Sequence, residues 1–318
     1  MNIRWVLLLL PFTAFTQVNL NLSPAPATPA IFNEGIISTP LSERDFALSP
    51  DGTEIFYTVQ VTPSQYQVLI YMQKDKKGKW SKPEVAAFSG HYTDLEPAFS
   101  ADGKKLYFTS NRPVNGTGPK DFDIWVIERT ATGWGEPRNL GEPVNTPADE
   151  YYPSVAQNGN LYFTASYKKG VGREDIYMAK WQTDHYEEPQ ALDTAVNTAL
   201  YEFNAFVSPD EQFILFTSYG RKDDTGRGDL YISQKDANGN WQPAKNLHAL
   251  NSDKLDYCPF VSFDKKILFF SSERHNLPAS YPGKAVAYRE INDAANSTLN
   301  GNGNIYWVSF EELLKSLK

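Results

Sequence analysis

Five segments of this chain align with one another at a spacing near fifty residues, and a period of that length restricts the fold to a ring or stack of similar units. They are FALSPDGTEIFYT (46–58), PAFSADGKKLYFTS (97–110), PSVAQNGNLYFTAS (153–166), AFVSPDEQFILFTS (205–218) and PFVSFDKKILFFSS (259–272). Their turn residues Asp51, Asp102, Asn158, Asp210 and Asp264 are 51, 56, 52 and 54 residues apart. Each segment reads as a β-hairpin: an apolar strand, an Asp/Asn-centred turn, and a second strand of aromatic and β-branched residues. Gly52, Gly103 and Gly159 supply the positive φ that such a turn needs; Glu211 and Lys265 stand in that place in the last two hairpins, where residue type leaves the turn geometry open.

A third strand follows each hairpin, at LIYM (69–72), DIWV (123–126), DIYM (175–178), DLYI (229–232) and NIYW (304–307). A fourth element appears four times, as WSKPEV (80–85), WGEPRNL (134–140), YEEPQAL (186–192) and WQPAKNL (241–247). Its proline belongs on an edge strand, so this element is the outermost. Four strands per repeat, most apolar first and most polar last, make the blade of a β-propeller. The fifth repeat lacks a fourth strand, and ISTPLSE (37–43) matches VNTPADE (144–150) and VNTALYE (196–202), the exits of fourth strands. Residues near Phe32–Ser38 are therefore expected to close the ring. The predicted fold is all-β, a five-bladed propeller of four-stranded antiparallel blades over 31–309, closed by the N-terminal strand and followed by a short C-terminal helix over 310–318.

These residues resemble the TolB-type, WD-repeat-like propeller family, whose repeat runs roughly acidic–x–x–Pro–x–Phe–Ser–x–Asp–Gly, then Leu–Tyr–Phe–x–Ser–x–Arg, then Asp–Ile–Tyr. The resemblance covers about residues 37–310. It implies a propeller in an exported bacterial protein and leaves the role open, since that family includes periplasmic binding and scaffold proteins as well as propeller domains attached to hydrolases. It departs in the first blade, where Val59-Gln60 replaces Ser-x-Arg and Leu69 replaces the third-strand Asp.

The start, MNIRWVLLLLPFTAFTQ, has a basic head, an apolar run and small residues before Gln17, which is a secretory signal over 1–16. The run is too short to span a bilayer, and no longer one follows. Residues 17–30, rich in Pro, read as a flexible leader. Without the signal, 29 Lys+Arg face 38 Asp+Glu, a net charge of −9 that disfavours nucleic acid and anionic membrane as partners. The single Cys258 permits no intrachain disulfide. A periplasmic or secreted monomer held together by its core is the expectation.

In an up-and-down blade, the connection into the first strand and the one between the second and third emerge on one face. A carboxylate recurs at that entry in every repeat: Glu43, Asp94, Glu150, Glu202 and Asp256. If innermost strands line the channel, these groups form an acidic ring at its mouth, able to hold Ca²⁺ or a basic side chain of a partner. Alternatively they hold each blade to its neighbour, with Arg112, Arg221 and Arg274 as counter-charges. Asp123, Asp175 and Asp229 read as loop caps. The connections between second and third strands, with Tyr167, Tyr219, Tyr281 and Tyr288, would form a basic and aromatic rim. No nucleophile elbow or zinc-protease motif is present, and His91, His185, His248 and His275 lie in different connections. The expected function is a non-enzymatic binding or scaffold module for a protein or glycan, with no cofactor other than that calcium. A propeller hydrolase using channel-mouth carboxylates on oligosaccharides is the alternative.

Overall fold

The computed structural model describes residues 17–61, 65–278, 283 and 285–317. Residues 1–16, expected from the sequence to be a secretory signal, and Tyr281 and Lys318 lie outside the described residues.

Five antiparallel sheets follow one another along the chain. Blade one is built from Ser42–Leu48, Glu54–Val61, Tyr66–Gln73 and Glu84–Val85; blade two from Asp94–Phe99, Lys105–Ser110, Asp123–Thr130 and Arg138–Asn139. Blade three comprises Glu150–Val155, Leu161–Ala165, Asp175–Ala179 and Gln190–Ala191, and blade four Tyr201–Val207, Phe213–Tyr219, Asp229–Gln234 and Lys245–Asn246. Blade five takes Asp256–Val261, Ile267–Ser272 and Asn304–Ser309 from the C-terminal part of the chain, and its outer strand, Ala30–Ile31, from the N-terminal part. The five first strands touch in cyclic order, one to two through five to one, so the ring is closed. It is a five-bladed β-propeller.

The core lies between blade faces. Each second strand is apolar on both sides because both sides are covered, as in Leu161–Ala165, where every residue is buried. Phe56, Phe99, Phe108 and Ile127 fill the space between blades one and two, and Phe216, Tyr162, Ile176 and Val196 that between blades three and four. The hairpin turns need a left-handed residue whatever its type: φ is +67° at Gly52, +52° at Glu211 and +58° at Lys265. Backbone bonding across the turn therefore holds two non-glycine residues in a conformation that glycine adopts freely.

The closing strand sits slightly before the expected 32–38. Ala30 pairs with Trp307 and Ile31 with Tyr306, and the Phe32 amide donates to the Ile305 carbonyl at 2.8 Å. Residues 33–38 form the exit turn, where Ser38 Oγ donates to that same carbonyl at 3.1 Å. Asn145, Asn197 and Asn251 occupy the equivalent place and bond the backbone of Ile124, Ile176 and Leu230. This conserved geometry is what ISTP and VNTP share. The stretch 17–30 is not a free leader: Gln17–Val18 pairs with Trp80–Ser81 of blade one, and Leu20, Leu22 and Ala25 pack on the core.

The C-terminal helix runs Phe310–Ser316, capped by Ser309 Oγ, which accepts from the Glu312 amide at 3.3 Å. Phe310 and Leu313 are buried, with the Phe310 ring 5.2 Å from that of Phe213. A second helix, Tyr288–Ala295, interrupts the long connection of blade five and buries none of its residues. Its pattern was hidden in a segment whose polar composition reads as loop.

Candidate functional site

Each repeated carboxylate is the first or second residue of a first strand, and all five are essentially inaccessible. The backbone amide and hydroxyl four residues earlier both donate to the carboxylate in four blades, from Thr39 to Glu43, Thr146 to Glu150, Thr198 to Glu202 and Ser252 to Asp256. In blade two Ser89 Oγ takes that role toward Asp94 at 2.8 Å. The arginines complete three of these sites. Arg112 Nη2 reaches Asp94 at 2.6 Å, Arg221 Nη2 reaches Glu202 at 2.9 Å and Arg274 Nη2 reaches Asp256 at 3.1 Å. Each guanidinium also donates to a carbonyl of the preceding connection, Phe88, Val196 or Leu250. Each lies over the aromatic rings of its own second and third strands, as Arg221 does over Phe216 and Tyr231.

Blades one and three lack the arginine. Tyr167 replaces it in blade three, its hydroxyl donating to Glu150 at 2.6 Å, whereas Glu43 faces Val59. With no cation beside them, burial pushes both carboxyls up to about 7. The arrangement joins four of the carboxylates to an arginine or tyrosine of their own blade, leaves Glu43 with Thr39 alone, and does not bring the five together. Among the described residues no group of three or more His, Cys, Asp or Glu side chains is placed to hold a metal ion. Asp175 and Asp229 cap their loops, accepting from the amides of Val171, Gly172, Thr225 and Gly226, while Asp123 pairs with Lys120 and Asn139.

The channel is lined instead by residues two positions further on. Every first strand is bulged there, at Asp45, Glu96, Tyr152, Asn204 and Cys258, with φ between +50° and +60°. A bulge of this kind re-aims one side chain without ending the ladder. The bulge amides of Glu96 and Asn204 donate to Thr58 and Thr164 on the second strand of the preceding blade, both at 3.1 Å. Arg44 ties the cluster together: its Nε lies 2.9 Å from both Asp45 oxygens, its Nη2 3.0 Å from Glu96 and 3.6 Å from Cys258 Sγ, and its guanidinium lies over the Tyr257 ring. The Tyr152 amide donates to the other Glu96 oxygen at 2.7 Å. Burial pushes the Glu96 carboxyl up to about 7 against the pull of Arg44, and drives the Cys258 thiol far above its ordinary range. Arg44 keeps 17% of its side chain open to solvent, so it is the accessible part of an otherwise sealed axial plug. Beneath the plug only about 30 Å³ remains, walled by Phe46, Phe99, Phe206 and Phe260.

At this axial register the five repeats carry five different residues, Asp, Glu, Tyr, Asn and Cys, where two places earlier every copy carries a carboxylate. Equivalent carboxylates mark architecture, whereas unlike residues at one register mark a place where blades have separate duties. On the opposite face, between blades two and three, lies a much larger cleft of about 860 Å³, lined by Trp181, Tyr186, Arg138, Glu142 and His185 among others.

No family model matches the sequence, and no curated protein matches it either. Solved structures do match in shape. TolB from Acinetobacter baumannii is 15% identical with a TM-score of 0.45; the match covers 84% of this chain and 54% of that one, so this chain spans about half the length of that protein. A putative TolB from Agrobacterium tumefaciens is 16% identical with a TM-score of 0.48, over 86% of this chain and 91% of that one. The catalytic domain of a Coprinopsis cinerea GH62 α-L-arabinofuranosidase is 10% identical with a TM-score of 0.51, over 89% and 98%. Likeness at such identities establishes architecture alone: this chain is a five-bladed β-propeller.

Proposed function

We propose that this protein is an exported, non-enzymatic binding or scaffold module whose partner, a protein or glycan, docks on the face where the first strands begin. The observation that carries this reading is the closure of the axial cluster. Asp45 and Glu96 are both engaged by Arg44, both are buried, and the void below them has room for little more than a water molecule. A hydrolase needs two carboxyl groups facing a substrate-sized space. Around the plug, the exposed Arg173, Tyr219 and Tyr288 on connections of different length supply a surface on which specificity can be written without disturbing the blades. Export rests on the signal-like residues 1–16 and on the absence, among the described residues, of any helix long and apolar enough to cross a membrane.

One observation favours a hydrolase: burial holds the Glu96 carboxyl up to about 7, and a raised carboxyl is what general acid catalysis uses. Pull-down from the periplasmic or extracellular fraction, with wild type and Arg44→Gln compared, tests the binding reading; a partner retained by wild type and lost with Arg44→Gln is the expected result. Turnover of an oligosaccharide that disappears in Glu96→Gln would establish the hydrolase instead. Sequencing the N-terminus of the exported protein should give Gln17.

A further inference from the structure

We infer that the cleft between blades two and three is a second binding site, for a neutral oligosaccharide. It opens on the face of the hairpin turns, away from the surface proposed above for a partner, and the inference stands whether or not that surface docks anything. Its volume, about 860 Å³, lies within the range of small-ligand sites.

The aromatic part of the cleft is fixed in advance. Trp181 and Tyr186 face each other across a short turn, bridged in antiparallel register with the Gln182 amide donating to the His185 carbonyl at 2.8 Å. Their rings meet edge to face with centroids 4.8 Å apart. The Trp181 amide is anchored to Asn160 Oδ1 at 3.1 Å, and Asn160 is in turn held by Glu211. The indole rests on Gly159, where a Cβ atom would stand 2.8 Å from its Cγ and Cδ1. Glycine at that position therefore makes room for the ring as well as meeting the turn's φ of +92°. Despite these restraints Trp181 leaves 37% of its surface open, a large exposure for an indole so firmly placed.

The polar part selects the ligand class. Arg138 projects from the outer strand of blade two, and among the described residues neither it nor Glu142 has a side-chain hydrogen bond or ion pair. Arg138 offers donors only and Glu142 acceptors only. His185 and Asp184, 2.8 Å apart, add a second such couple, and Gln157 offers both kinds. Acidic and basic side chains both line the wall, which suits neither a polyanion nor a polycation. Sugar hydroxyls both donate and accept, and the C–H faces of a pyranose or furanose pack on an indole. A rigid aromatic platform with mixed donors and acceptors matches a neutral saccharide in each of these respects.

The test uses the full-length mature protein on an array of neutral gluco-, xylo-, manno-, galacto- and arabino-oligosaccharides, with polygalacturonate as the acidic comparison, followed by calorimetry on whatever binds. At least one neutral oligosaccharide should bind, and Trp181→Ala and Arg138→Met should each weaken it about tenfold or more, with Trp181→Phe restoring part of the loss. Arg138 is exposed, so its substitution reports on the site even if Trp181→Ala perturbs folding. Binding of nothing on the array, of polygalacturonate alone, or with an affinity unmoved by both variants would overturn the inference. So would loss of sugar binding in Arg44→Gln with retention in Trp181→Ala, because that pattern places the sugar on the other face.

Discussion

Replacing Arg221 by methionine isolates the role of the blade arginines. Methionine keeps an unbranched apolar stem between the Phe216 and Tyr231 rings and removes the guanidinium. Glu202 would then lose the donors at 2.9 and 3.2 Å while remaining fully buried, and the Val196 carbonyl would lose its partner at 2.6 Å. Stranding a buried carboxylate costs about 3–5 kcal/mol when its partner is removed. Bonds from Thr198 and Ser218 persist and favour the lower part of that range. Glu150→Gln in blade three is the internal control. No cation serves that carboxyl, burial already holds it up to about 7, and the amide can still accept from Thr146, so the change should cost less than about 1 kcal/mol at pH 7. Urea denaturation of the two variants and wild type, read by circular dichroism and tryptophan fluorescence together, measures the difference. Equal midpoints for Arg221→Met and Glu150→Gln, or a loss below about 1 kcal/mol for the former, would refute the assignment of these carboxylates to blade architecture.

Stability should also follow pH in a specific direction. Burial raises Glu43 and Glu150 from an ordinary 4.5 to about 7, so the folded protein holds these protons more tightly than the unfolded chain, and the stabilisation present below pH 4.5 is lost as pH rises toward 7. The turn residues Asp51, Asp102, Asp210 and Asp264 act oppositely: burial would raise them, but hydrogen bonds within their turns, and for Asp210 foremost the Lys265 ammonium of the next blade's turn, pull them below 3.8, and their contribution is lost as pH falls through that region. Tm should therefore peak between about pH 4 and 6, and a Tm climbing steadily from pH 5 to 8 would contradict this. Phe32→Ala should cost about 3–5 kcal/mol, because the ring is fully buried against Phe46, Phe269 and Trp307 at the seam, whereas Val18→Ala at the half-buried start should cost under about 1; similar losses in thermal unfolding would argue against closure at Ala30–Phe32. Leu313→Ser together with Leu314→Ser should cost about 2–5 kcal/mol, since Leu313 is buried and Leu314 packs on the core; unchanged stability with a lost partner would make the helix a docking element.

The sequence made the ring plain because a repeat is redundant. Five copies of hairpin, third strand and proline-marked edge fix blade number even where single residues deviate, as Glu211 and Lys265 do in place of glycine. Pairing of each arginine with the carboxylate of its own blade was equally accessible, because the arginine follows the carboxylate by 18 or 19 residues in each of the three blades. What could not be read was the direction of side chains in the first strand. Strict alternation places Glu43 and Asp45 on the same face, and only the bulge, visible in pairing and not in residue type, separates a buried anchor from an axial group. Tyr167 in the arginine's role was concealed for a related reason: a phenol can meet the same carboxylate, carbonyl and rings as a guanidinium, yet the two share no sequence resemblance. The Trp181 cleft depends on two blades meeting, and nothing local encodes it.

The five left-handed residues at the axis divide labour along the strand. The anchor carboxylate two places before each one and the apolar residues after it secure the blade, while the bulge delivers whatever side chain stands at that single position to the centre of the molecule. Backbone geometry there is already met by an acid, an amide, a phenol and a thiol, so it places little demand on chemistry. The axis thus behaves as five independently replaceable positions in a fixed frame. Exchanging Asn204 or Cys258 for histidine or aspartate is a direct route to building a metal centre into this scaffold while leaving the carboxylate anchors of its blades in place.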